Sequence, residues 1–163
     1  HLVPLAIDRG SSATAAAQAL GLMGAIGIPG RILLGGAADR IGWMRGIAIA
    51  NFVAAAATLS LAFVDKPWMI YLFVVPFGFF NGGNLALLAG AVTLFFGVAA
   101  LGEILGYTLA FSVLSGSVSP LLGGLVFDKT GSYFLFLLFA ALCFAIGGVY
   151  SLLLKVPGTK GNV

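Results

Sequence analysis

The sequence predicts an all-α membrane protein, a polytopic transmembrane bundle of five spanning helices, on three observations. Hydrophobic residues make up 61% of its 163 residues and charged residues only 8%. Mean hydropathy is +1.14. Uncharged blocks of bilayer length recur at Gly10–Gly30, Gly46–Val64, Pro67–Gly102, Ile104–Phe127 and Thr130–Leu154. A soluble domain needs roughly 25% charged residues to keep a solvated surface. Most of this chain's surface therefore faces the lipid bilayer.

A spanning helix takes about 20 mainly apolar residues. The predicted spans are 13–35, 46–64, 68–88, 104–127 and 133–154, in one transmembrane unit covering 1–163. The third block is long enough for two short passages broken at Asn81-Gly82-Gly83-Asn84, or for one helix over Trp68–Leu88 followed by an apolar connector. Charge decides between them. Five passages place Arg31, Arg40, Arg45, Lys155 and Lys160 on one side and Arg9, Lys66 and Lys129 on the other. This asymmetry fits the positive-inside rule, whereas six passages divide the bases evenly. The predicted topology has the N-terminus outside and the C-terminus cytoplasmic, in a plasma (inner) membrane. Repeat-built transporters use sets of three or six helices; five passages complete no such set, which implies a helix upstream of His1.

The first helix carries Gly21, Gly24, Gly27 and Gly30, which let a neighbouring backbone approach, and Pro29, which predicts a bend. Arg31 follows, eight residues before Asp39 and so roughly 12 Å deeper on a helix. An arginine at that depth is costly and marks a functional site, and its fork suits a carboxylate or phosphate. Snorkelling to the headgroups is the competing use. The second helix is Ala-rich, with Asn51, Thr58 and Ser60 as its polar residues, and the last is rich in Phe and Leu; both read as peripheral. The third holds Pro76 with Asn81 and Asn84, two amides on one face that need partners, from the core or from a solute. In the fourth, Thr108, Ser112, Ser115 and Ser119 share a face that either packs or walls a cavity, and Pro120 predicts a kink.

Several function classes are excluded. The net charge of +3 is not gathered into a nucleic-acid surface. A single cysteine, Cys143, and a single histidine, His1, offer no disulfide framework and no metal set. The acids are scattered and no nucleophile has a base, so no enzyme and no cofactor are predicted. The opening residues form no leader.

The stretch Gly35-Gly36-Ala37-Ala38-Asp39-Arg40-Ile41-Gly42-Trp43-Met44-Arg45 resembles the Gly-x-x-x-Asp-Arg-x-Gly loop of the major facilitator superfamily, with Gly35, Asp39, Arg40, Gly42 and Arg45 matching. Trp43 and Met44 stand where bases are common. The opening His1–Gly10 is similar to the outer end of helix 7 in the branch of oxalate/formate antiporters and monocarboxylate transporters. The run Ser119–Tyr133 is similar to the end of helix 11 and the turn that follows it. The resemblance implies helices 8–12 of the C-terminal half of such a fold, with helix 7 and the N-terminal half as missing partners. It implies secondary transport of a small organic anion, a monocarboxylate, by alternating access. It places Arg31 on the substrate carboxylate, with Asn81, Asn84, Tyr107 and Ser112 in the wall and the Asp39-Arg40 loop as a conformational latch. Two departures count: Gly27 stands where monocarboxylate carriers have an acid, and the fourth helix lacks the second cation of oxalate carriers. A dicarboxylate is accordingly disfavoured. A structural membrane protein that moves no solute is the alternative.

Overall fold

The computed structural model describes residues 12–64 and 66–154. Asp8, Arg9, Asp65, Lys155 and Lys160, on which part of the topology argument rests, lie outside the described residues, as does the opening His1–Gly10. Within them five helices follow one another: α1 (Ala13–Ile41), α2 (Trp43–Ser60), α3 (Ile70–Phe96), α4 (Leu101–Thr130) and α5 (Phe134–Leu153). Each is long and apolar enough to cross a membrane, and α2 is lengthened to Phe63 by a 3₁₀ turn.

The long third block forms one passage. Asn81-Gly82-Gly83-Asn84 stays helical, and α3 runs on past the expected end at Leu88 to Phe96. Nothing between Ala89 and Phe96 breaks a helix, and a backbone at membrane depth must satisfy its own hydrogen bonds. Gly97, at φ 79°, ends it, with its N–H donating to Thr93 O at 2.9 Å. The helices also continue through Pro29, Pro76 and Pro120.

Burial reverses one expectation. α2 is no peripheral helix: Gly46, Ala48, Ala50, Ala54, Ala55, Ala57 and Thr58 are all buried, and it packs between α3 and α5. Small side chains let two neighbours close on it, and alanine's hydropathy alone does not separate a lipid contact from a helix contact. α4, by contrast, buries only Gly123. α5 lays Leu137, Ala141, Gly148 and Ser151 inward and leaves Phe139, Leu142 and Ile146 exposed. One apolar cluster joins Ala16, Ala19, Ala57, Leu61, Ile70, Phe73 and Leu137. A second joins Ala38, Ala50 and Leu87, with Leu34, Trp43 and Ile47 against it.

Candidate functional site

α1 and α3 cross in close backbone contact, and glycine makes it possible. A Cβ on Gly82 would strike the Gly27 backbone, and one on Gly30 would strike the Phe79 carbonyl. At Gly78 it would lie 2.7 Å from Met23 O, and at Gly83 it would lie 2.9 Å from Gly30 O. At 100° per residue Met23, Gly27, Gly30, Arg31 and Leu34 lie on one face of α1, the face turned to α3. Of the four glycines spaced by three, only Gly27 and Gly30 meet α3. A Cβ added at Gly21 or Gly24 would meet no other part of the protein within 4 Å, because a three-residue step drifts around a 3.6-residue helix.

Arg31 follows Gly27 by one turn, so its side chain emerges at this crossing. Its Nε donates to the carbonyl of Gly82 at 3.3 Å, a bond between residues 51 apart in sequence. The bond occupies the inner edge of the fork and leaves the terminal nitrogens, which carry the paired donors that match a carboxylate.

The other expected wall residues are not gathered around Arg31. Gly78, Gly82 and Gly83 turn to α1. Asn81 and Asn84 line a small void with Ala50 and Asn51 of α2 and Phe144 of α5, on the opposite side of α3. Tyr107, 63% exposed, and Ser112, also exposed, lie on α4. Ser112 Oγ donates to Thr108 O at 2.8 Å, and Thr108 Oγ1 donates to Ile104 O at 2.8 Å. These hydroxyls fold back on their own helix instead of bridging to another. Further along the stripe, Ser115 and Ser119 line a cleft of about 840 Å³ between α4 and α5 whose other walls are Leu, Val, Phe, Ala140 and Cys143. Asn51, whose Nδ2 donates to Ile47 O of its own helix at 3.0 Å and whose amide faces Gly147 of α5, is a polar residue to which the sequence reading gave no role. Its signal was present: an isolated amide in an alanine-rich span.

The expected latch loop is mostly helix. Gly35, Asp39 and Arg40 belong to α1, Arg45 lies in the first turn of α2, and only Gly42 stands between them. The run has no proline, and despite Gly35-Gly36 it stays helical until a residue takes positive φ. Gly42 does so at φ 93°, donating to Ala38 O at 2.9 Å. Asp39 and Arg40 are exposed on the last turn. There Arg40 suits the negative end of the helix dipole, whereas Asp39 does not, and Arg45 meets the positive end of α2. Trp43, where a base is common, packs its ring on Gly90 and joins the cluster around Leu87. Restoring a base by Trp43→Lys is expected to cost roughly 2 kcal/mol of stability, read as a lower thermal midpoint in detergent.

Among the described residues no three or more His, Cys, Asp or Glu side chains come together to hold a metal ion. No protein-family model matches the chain. Over 138 residues, 82% of the chain, it is 29% identical to human monocarboxylate transporter 12, of which this covers 27%. It is 30% identical over 141 residues to monocarboxylate transporter 12-B of Danio rerio, 29% of that protein. With an MFS-type transporter of Gibberella moniliformis it shares 31% identity over 142 residues, 33% of that protein. The chain spans about a third or less of the length of these curated relatives. Together with five membrane-length apolar helices, the similarities support an integral membrane protein related to the major facilitator transporters.

Proposed function

We propose that this chain is the C-terminal half, helices 8–12, of a major facilitator transporter that carries a small monocarboxylate across the plasma (inner) membrane by alternating access. Its branch is the one shared by oxalate/formate antiporters and monocarboxylate transporters. The N-terminus faces outward and the C-terminus faces the cytoplasm. The observation that carries the reading is Arg31, held at the glycine crossing of α1 and α3 by the carbonyl of Gly82. Its charge at membrane depth needs an anion, and its fork has an edge free to supply one with paired donors.

The relatives' names support the monocarboxylate. A second cation for a dicarboxylate is absent from α4 over Leu101–Phe127, where Glu103 is the one charged residue. Tyr107 and Ser112 are exposed on α4, and in this reading they turn to the solute path once the N-terminal half closes it. Asn81 and Asn84 contribute from α3 when the two halves rock about the solute. Asp39, Arg40 and Arg45, with Gly35 and Gly42 shaping the turn, latch onto that other half at the cytoplasmic surface. The dipole mismatch of Asp39 and Arg45 supports such use, since both are relieved by opposite charges from outside their own helices.

The test is reconstitution. Liposomes holding the longer polypeptide are expected to take up a labelled monocarboxylate saturably and a matched dicarboxylate poorly. Liposomes holding the 163-residue chain alone are expected to take up neither. Saturable uptake by the chain alone would refute the division of the cavity between halves. No uptake of any carboxylate by the longer polypeptide would refute the transport reading itself.

A further inference from the structure

α4 and α5 follow one another in the chain yet stay apart. The turn at Gly131 joins them, and the rings of Phe127 and Tyr133 stack there at 4.5 Å. Beyond that point α4 buries only Gly123, and a cleft of about 840 Å³ separates Leu114, Val118 and Leu122 from Phe139 and Cys143. Phe139 is 63% exposed, so the mouth opens outward from the bundle. Four residues of this cleft, Ser119, Phe136, Ala140 and Phe144, also wall a second cavity of about 390 Å³ that reaches inward to Leu61 and Phe73. Those two are buried members of the core cluster. The two spaces are therefore continuous from the outer face of the bundle to its interior.

We infer that this space binds one acyl chain of a glycerophospholipid, which enters from the bilayer between α4 and α5 and ends against Leu61 and Phe73. The walls select it. Among the described residues no charged side chain lines either cavity, and the Thr58 hydroxyl is met by Ala54 O of its own helix at 2.8 Å. A charged solute would be desolvated there without a partner. Hydrocarbon is the medium at the mouth, because both helices are long and apolar enough to cross a membrane. The length agrees as well. From Phe136, in the first turn of α5, to Phe144 is roughly 12 Å along the helix, close to the ~15 Å half of a ~30 Å hydrocarbon core. A further helix does not fit the inner cavity: at about 10–12 Å across and 1.5 Å per residue, only about two to three of its residues would fill 390 Å³. Lys129, in the last turn of α4, and Lys66, ahead of α3, are exposed at one end of the bundle. Tyr133 and Met69, close to them in sequence, pack against one cluster and so bring the two turns together. The lysines offer the phosphate two cations, and exposed Asp128 suits the amine of a zwitterionic headgroup. The lipid chain supplies packing that α4 does not receive from the other four helices. The site rests on the membrane spans and not on the transport reading.

The measurement is photolabelling of the longer polypeptide in phosphatidylcholine vesicles doped with a phosphatidylcholine that carries a diazirine at the end of one acyl chain. Adducts mapped by mass spectrometry are expected on buried Leu61 and Phe73 as well as on exposed Ile146, which reports surface lipid. Ala140→Trp places an indole where the two spaces join. It is expected to lower labelling of Leu61 and Phe73 roughly tenfold, the equivalent of about two lost methylene contacts, with Ile146 labelling unchanged. A diacylglycerol with the same chain is expected to label Phe73 less than the phospholipid does; equal labelling would overturn the place given to the phosphate. Labelling of Ile146 without Leu61 or Phe73 in the wild-type protein would overturn the site, with no variant needed. So would protection of Leu122 and Phe139 from the label, because another protein segment would then cover the cleft.

Discussion

Gly82→Ala is expected to disrupt the bundle, and Gly24→Ala is expected to leave it intact. The added methyl at 82 meets the Gly27 backbone, which cannot rotate aside as a flexible side chain can. The two helices must then separate along the whole crossing. Overpacking of a tight contact costs about 1–3 kcal/mol and occasionally more; because the collision is with backbone, the upper end applies. Gly30→Ala, whose methyl meets the Phe79 carbonyl, is expected to behave the same way. A Cβ added at Gly24 would meet nothing within 4 Å, so alanine there should be neutral or stabilising by up to about 1 kcal/mol through helix propensity. Thermal midpoints of the three variants in one detergent check the ordering. Equal loss at Gly24 and Gly82 would contradict the crossing geometry.

Arg31→Lys is the second large effect. Lysine keeps the charge but has a single ammonium, so it loses either the anchor on Gly82 O or the paired donors for a carboxylate. Hydrogen bonds to charged groups are worth about 1.5–3 kcal/mol, so apparent monocarboxylate affinity of the longer polypeptide is expected to fall roughly 10- to 100-fold. The change should appear in KM for uptake, with the amount of folded protein little altered. A KM within a factor of two of the wild-type value would place Arg31 outside the solute site.

Much of the architecture was legible because the bilayer sets one length and one solvent for every span. Five uncharged blocks became five helices, and the glycines at 42, 97 and 131 mark where three of them stop. Other features were hidden for physical reasons. Hydropathy scores alanine alike whether it touches lipid or a neighbouring helix, so the burial of α2 did not show in its composition. A resemblance that names a loop does not say how tight it is, and here one glycine suffices. The asparagines at 81 and 84 share a face, as their spacing implied. Which face it was depended on Gly78, Gly82 and Gly83 claiming the other side for α1.

The central claim is that Arg31 neutralises a transported carboxylate, and uptake of a labelled monocarboxylate by the longer polypeptide carrying Arg31→Ala tests it most directly. Removing one partner of a charge pair costs about 2–5 kcal/mol. The account therefore predicts that saturable uptake is lost while the variant still inserts and keeps a near wild-type thermal midpoint. Undiminished saturable uptake by Arg31→Ala would contradict it and leave Arg31 as a clamp between α1 and α3.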